Sequence, residues 1–407
     1  MTGATFPLSI SLRPTHPDFL DLPWQLPLSE WQGQSDRLVE VARGLSRHPV
    51  VFVNYSGTLY ALKEMPHGLA EKEYGLLLEM EEQRLPAVTP VSHVLTQLPH
   101  GQASVLITRY LDHSLPYRSL FMRRGLMHYR EHLLDAIAGL LVQLHLAGVF
   151  WGDCSLSNTL FRRDAGALQA YLVDAETAEI DPENFSPRLR FHDLEIMEEN
   201  VDAELLEMVA SGLLSEGVPV YHTGAYIRLR YQSLWEEITR EEVINPGEHY
   251  RIQERIRALN SLGFSIGEVK LEGSESGEQL RLRVFVTDRN FHRDQLLGLT
   301  GIEAEEMQAR KMMNEIHEIK AILSQANDRS TPLSVAAYYW LENRYQPVTA
   351  ELQSLIEQTN DVPELYCQVL EHKWYLSEKA QRDVGHEAAV DDYLKQFGGK
   401  KENLPAP

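Results

Sequence analysis

The sequence predicts an α+β chain: a small sheet with one helix, then a mostly helical lobe, then a helical second half that carries a β-hairpin. Three observations predict it. VVFVNY (Val50 to Tyr55) and LYALKEM (Leu59 to Met65) are rich in β-branched and aromatic residues and meet at Ser56 and Gly57, the pattern of a tight hairpin. Between His128 and Leu146, residues Leu133, Leu134, Ile137, Leu140, Leu141 and Leu144 recur at helical spacing, with Gly148 just beyond the end. EVKLE and QLRLRVFV alternate on either side of a loop from Gly273 to Gly277, which predicts a second hairpin.

The other elements follow in order. Pro7, Pro14, Pro17, Pro23 and Pro27 make residues 1–30 an extended arm packed on a domain. Strand character begins at Leu38, and a helix is expected from Gly68 to Arg84, stopped by Pro86. Short strands are expected at Leu160–Phe161 and Leu168–Val173. The stretch holding Asp193, Glu195, Glu198, Glu199, Asp202, Glu204 and Glu207 reads as a helix with a solvated acidic face. Glycine and turn residues from Ser215 to Tyr226 mark a soft boundary. Beyond it come basic helices around Arg228, Arg230, Arg251, Arg255 and Arg257 and a helix opened by a capping box at Thr300 and Glu303. Further helices run to about Gln396.

Composition narrows the function classes. With 38 basic and 59 acidic residues among 407, the net charge is −21, which argues against nonspecific binding to nucleic acid or to an anionic membrane. The most apolar run, Ala136 to Trp151, is too short to span a bilayer and is broken by Gln143 and His145, so no transmembrane segment is expected. The amino terminus does not read as a secretory signal, and two cysteines, Cys154 and Cys367, make no disulfide framework. A reducing, cytoplasmic location is expected.

The chemistry concentrates in LAGVFWGDCSLSNTLF, where Asp153 and Asn158 lie five residues apart on a loop between a long helix and a strand. Phosphotransferases of the protein-kinase type need this spacing: a carboxylate that orients the attacking hydroxyl and takes its proton, and an amide oxygen that reaches magnesium. LVDAE then supplies Asp174 at a strand end, suited to the metal that bridges the nucleotide phosphates. Upstream, YALKEM puts Lys63 on the second hairpin strand, and Glu73 lies in the following helix, where an ion pair would hold the ammonium toward the phosphates. Glu71 and Glu79 are alternative partners on the same helix. Each motif alone is weak, but lysine, helix glutamate, aspartate, asparagine and aspartate occur in the order of a bilobal kinase.

With these residues the chain resembles the bacterial kinase-like proteins grouped with lipopolysaccharide (Kdo/heptose) kinases, in the subgroup with a carboxyl-terminal domain of unknown function. The kinase-like resemblance covers Leu38 to Ala210; RYQSLWEEITREE, HYRIQERIRALNSLGF and LTGIEAEEMQARKMMNEI carry that of the second half. The resemblance implies a protein-kinase-like fold that uses ATP and Mg2+. It implies Asp153 as base, Lys63 and Glu73 as the nucleotide lysine and its partner, and Asn158 and Asp174 as magnesium ligands. Ala61 and Leu160 would close on the adenine, with a hinge near Thr108 to Leu111. The chain then divides into an arm (1–30), a kinase-like domain (31–225), a helical C-terminal domain (226–396) and a disordered tail (397–407).

The departures from the pattern bear on activity. A glycine-rich loop is replaced by RGLSRHP, in which Ser46, Arg47 and His48 would bind phosphate. Trp151 stands where the catalytic-loop histidine is usual, and Asp174 is followed by Ala175 and Glu176. Two readings therefore stand together: an ATP- and Mg-dependent phosphotransferase acting on a hydroxyl of a sugar, small molecule or protein, or a pseudokinase that binds nucleotide and recruits a protein partner through its second half. A third, a winged-helix-like nucleic-acid regulator, has only Arg251, Arg255 and Arg257 in its favour. Residues from about Tyr226 are expected to complete the kinase-like lobe, with those arginines facing an anionic substrate or the acidic helix.

Overall fold

The computed structural model describes residues 8–41, 47–99, 101–118, 129–214, 222–245, 248, 250–273 and 280–397. Ser46 and the tail from residue 398 lie outside them. A six-stranded sheet forms the first layer, built from β1 (Ser9–Leu12), β2 (Leu38–Val39), β3 (Val50–Tyr55), β4 (Thr58–Pro66), β5 (Pro90–Leu98) and β6 (Gly101–Arg109). Its order is β1-β5-β6-β4-β3-β2, with every neighbouring pair antiparallel. The β3–β4 hairpin forms as expected, because Ser56 and Gly57 take φ of 53° and 89°, the positive values that a two-residue turn between twisted strands requires.

Alternation along β4 separates core from site. Tyr60 and Leu62 enter an apolar cluster with Phe19, Trp24, Trp31, Val53 and Ile107, so Ala61 and Lys63 fall on the opposite face. The proline-rich arm supplies much of that cluster and an edge strand, with Ser9 opposite Leu95. Its indoles are satisfied locally: Trp24 Nε1 donates to the Phe19 carbonyl at 2.8 Å and Trp31 Nε1 to that of Leu26 at 3.0 Å. Helix α1 (Leu69–Glu82) buries Ala70, Glu73, Leu77 and Met80, one stripe at helical spacing, so Glu73 alone among the helix glutamates points inward.

The helical lobe begins with α2 (Tyr129–Leu146), in which all the leucine and isoleucine positions read from the spacing are buried. Gly148, at φ 75°, turns the chain into β8 (Val149–Phe150), which pairs with β11 (Glu179–Ile180). Between them lie β9 (Thr159–Asp164), paired with the short β7 (Leu115–Pro116), and β10 (Ala167–Leu172). Helix α3 (Pro187–Ala210) is N-capped by Ser186, whose hydroxyl accepts from the Leu189 amide at 3.3 Å. The expected solvated acidic face is only half right. Glu195, Glu199 and Glu207 are exposed, whereas Asp193 is fully buried and Glu204 half-buried, because both flank the apolar stripe Leu194, Met197, Val201, Leu205 and Met208. Helix α4 (Thr223–Thr239) buries Ile227 and Tyr231.

Two compact units emerge: one comprises residues up to Arg162 together with Ala170–Trp235, the other Arg163–Gln169 together with Glu236–Ala406. The sequence alone placed the break at 225/226. The second unit holds β12 (Glu242–Ile244), α5 (Tyr250–Ser261), β13 (Ile266–Gly273), β14 (Leu280–Val286), α6 (Phe291–Thr300), α7 (Glu306–Ala326), α8 (Leu333–Trp340), α9 (Gln346–Glu351), α10 (Gln353–Thr359), α11 (Val362–Ala380) and α12 (His386–Phe397). Its hairpin forms as read, in a sheet of order β12-β14-β13. The capping box does not sit at Thr300 and Glu303: Thr300 ends α6, and Glu305 with Gln308 make the box that opens α7. Asp164 lies inside this unit, its carboxyl accepting from the Met307 and Gln308 amides at the start of α7. Arg255 is buried and paired with Glu237 of its own unit at 2.7 Å, and Arg251 is shared between Glu242 and Glu248, so both are engaged within the second unit rather than held out for a substrate.

Candidate active site

A cleft of about 530 Å³ in the first unit is lined by most residues the sequence singled out: Arg47, His48, Ala61 and Lys63 from the sheet side, Asp153, Asn158, Leu160 and Asp174 from the helical side. Glu73 stands behind Lys63. Ala61 and Leu160, with Phe52 and Val173, give one end an apolar character suited to a flat ring.

Lys63 is the centre of the charge arrangement. Its ammonium lies 2.8 Å from Glu73 Oε2 and 2.9 Å from Asp174 Oδ2, with 13% of the side chain exposed. Burial pulls the ammonium pKa down, but Glu73 and Asp174 outweigh it and the net shift is upward. Burial pushes the Glu73 carboxyl up to about 7 against the pull of Lys63. Glu73 also accepts the Ala175 amide at 3.1 Å, which ties the residue after Asp174 to α1.

Asp153 and Asn158 meet as the five-residue spacing requires. Asn158 Nδ2 donates to the Asp153 carbonyl at 3.0 Å and to Oδ2 at 3.2 Å, which commits the amide nitrogen and leaves the amide oxygen for a ligand. Arg47 reaches Asp153 Oδ2 at 2.8 Å from the segment that replaces the glycine loop, although 80% of its side chain is exposed. His48 Nε2 lies 3.0 Å from Glu176 Oε2. Asp174 turns back on its own segment, Oδ1 accepting the Glu176 amide at 3.1 Å. Hard oxygens from Asp174 and Asn158 at one cleft wall are a donor set suited to Mg2+.

Residues 56–209 match the lipopolysaccharide kinase (Kdo/WaaP) family, and residues 233–397 match a domain of unknown function, DUF4032. A solved structure titled "WaaP in complex with acyl carrier protein" is similar at 17% identity and a TM-score of 0.35, over 56% of this chain and 100% of that one. No curated protein matches the chain. No helix among the described residues is long and apolar enough to cross a membrane.

Three residues of α3 that the five-residue spacing did not single out, Asp193, Asn200 and Glu204, hold the Asp153 loop, and His145 supports the first of them. The Asp193 carboxyl accepts the Trp151 amide at 2.8 Å, the Gly152 amide at 2.9 Å and His145 Nε2 at 3.1 Å. His145 is fully buried, and burial lowers its pKa. A neutral ring donates from Nε2 to Asp193 and accepts at Nδ1 from the Tyr231 hydroxyl, 2.8 Å away, while Arg190 donates to that hydroxyl at 3.3 Å. Asn200 and Glu204 reach the same loop further along. Trp151, in the place usual for a histidine, donates its indole N–H to the Asp174 carbonyl at 2.9 Å. The usable sequence signal was the flank of the α3 stripe: Asp193, Asn200 and Glu204 each immediately precede an inward apolar residue.

Proposed function

We propose that the chain is an ATP- and Mg2+-dependent phosphotransferase that acts on a hydroxyl acceptor in the cytoplasm. The observation that carries this reading is the gathering of Lys63, Asp153, Asn158 and Asp174, distant in sequence, around one cleft with an apolar end. Magnesium-bound ATP, when present, supplies the transferable phosphoryl group. Asp174 and the Asn158 amide oxygen would hold the metal. Lys63, kept in place by Glu73, would exchange its contact with Asp174 for the phosphates. Arg47 would do the same with Asp153, so that loop residues Ser46, Arg47 and His48 serve in place of a glycine-rich loop. Asp153, released from Arg47, would accept the hydroxyl proton.

The test uses the purified full chain. Mg-ATP should raise the melting temperature by mass action; Asp174→Asn should abolish the magnesium-dependent part of the shift and Lys63→Met should weaken it. Asp153→Asn should keep the shift and lose ATP turnover by about 10²- to 10⁴-fold, the span of general-base contributions. Absence of any shift at millimolar Mg-ATP would sink the reading. A shift with equal background turnover in wild type and Asp153→Asn would instead support the pseudokinase alternative, which the capping of Asp153 by Arg47 favours.

A further inference from the structure

Helix α3 grips the Asp153 loop at three points on one face. Asp193, Asn200 and Glu204 are spaced seven and four residues apart, which places them in a row along a helix. Asp193 takes the amides of Trp151 and Gly152, and Glu204 takes those of Leu156 at 2.7 Å and Ser157 at 3.1 Å. Between these grips Asn200 Nδ2 donates to Asp153 Oδ1 at 3.1 Å and to the Cys154 carbonyl at 3.2 Å. The outer two contacts end on backbone. The middle one ends on the side chain proposed to do the chemistry.

We propose that Asn200 is a positioning residue that fixes the rotation of the Asp153 carboxylate. The contacts already described make the case. Asp153 Oδ2 is held by Asn158, so a second donor at Oδ1, on a different element, is what removes the remaining freedom about the Cβ–Cγ bond. Asn158 lies five residues from Asp153 and moves with its loop, whereas Asn200 is anchored on a long helix whose adjacent Val201 is fully buried. A carboxylate oriented this way keeps a lone pair on the acceptor when Arg47 leaves. The amide suits the position. It donates without adding charge, where a lysine would neutralise the base and an aspartate would repel it. Asn200 also lines the cleft together with Ala203 and Glu204, on the same helix.

This inference rests on the phosphotransferase reading, and the experiment separates the two. Full-length wild type, Asn200→Ala and Asn200→Asp are compared for Mg-ATP melting shift and for steady-state ATP turnover. Asn200→Ala should lower kcat about 10-fold or more, by loss of orientation, while KM for Mg-ATP and the melting shift stay within about twofold of wild type. Asn200→Asp, nearly the same size, should lose more than Asn200→Ala, because it replaces the donor with a like charge. A packing role predicts the reverse order, and that order, or an unchanged kcat in Asn200→Ala, would overturn the inference while leaving the phosphotransferase reading intact. Wild type lacking both shift and turnover would overturn both. If Asn200→Ala does not fold, Asn200→Asp and Asn200→Leu, which is of similar size and has no donor, carry the comparison, and near-wild-type kcat in either would overturn it.

Discussion

Removing the Asp193 carboxyl should cost the first unit far more than an average substitution. Asp193→Ala leaves the Trp151 amide, the Gly152 amide and His145 Nε2 without their acceptor in a site where both the His145 and Asp193 side chains have no solvent exposure. Each buried donor left unpaired costs about 1–3 kcal/mol. Three of them, with partial relief from water entering the vacated space, give about 3–6 kcal/mol. The amide variant is milder: Asp193→Asn keeps one acceptor but turns an NH2 toward the remaining donors, for about 2–3 kcal/mol. Urea unfolding of the full chain, followed through the transition that Mg-ATP shifts, reads these losses. At an m-value of about 2 kcal/mol/M, Asp193→Ala moves the midpoint down by about 1.5–3 M. The same variant should lose ATP turnover, since Trp151 and Gly152 lead directly into Asp153. A loss under about 1 kcal/mol at unchanged m would refute the reasoning, because the donors would then have found other partners.

Two further predictions concern other parts of the chain. At Gly148 (φ 75°) an added Cβ would lie 2.4 Å from Pro182 Cα, so Gly148→Ala should cost about 2–4 kcal/mol, whereas Gly33→Ala, at φ 74° with open space around it, should cost about 1–2 kcal/mol; equal losses in denaturant melts would contradict the clash. Burial, aided by nearby Glu305, pushes the Asp164 carboxyl from 3.8 up to about 7, so the folded state holds a proton that the unfolded state releases, and stability is full below about pH 4 and falls as pH rises toward 7. The linkage is worth up to about 4 kcal/mol, and Asp164→Asn should flatten the fall; a midpoint independent of pH between 4 and 7 in wild type would argue against it.

Local pattern determined a good deal of this protein. The β3–β4 hairpin was legible because Ser56 and Gly57 announce a turn between strand-forming runs, and α2 because its apolar spacing is regular. Asp153 and Asn158 were legible because five residues on one loop suffice to bring them together. Strands β5 and β6 are absent from the expected elements, although PVSHVLTQL and QASVLITR alternate. Tertiary structure decided the rest. Glu71, Glu73 and Glu79 are equivalent as letters, and only the face that α1 buries selects Glu73 for Lys63. Asp193 and Glu204 read as members of an acidic, solvated helix and Asn200 was not singled out; their inward aim depends on the angle at which α3 meets the Asp153 loop. His145 figured in the sequence only as a polar break in an apolar run, whereas in the fold Asp193 and Tyr231, from two other helices, close on its ring. The physical reason is common to these cases: periodicity fixes which residues share a face, but a polar side chain at the edge of that face is buried or solvated according to what another, distant segment places against it.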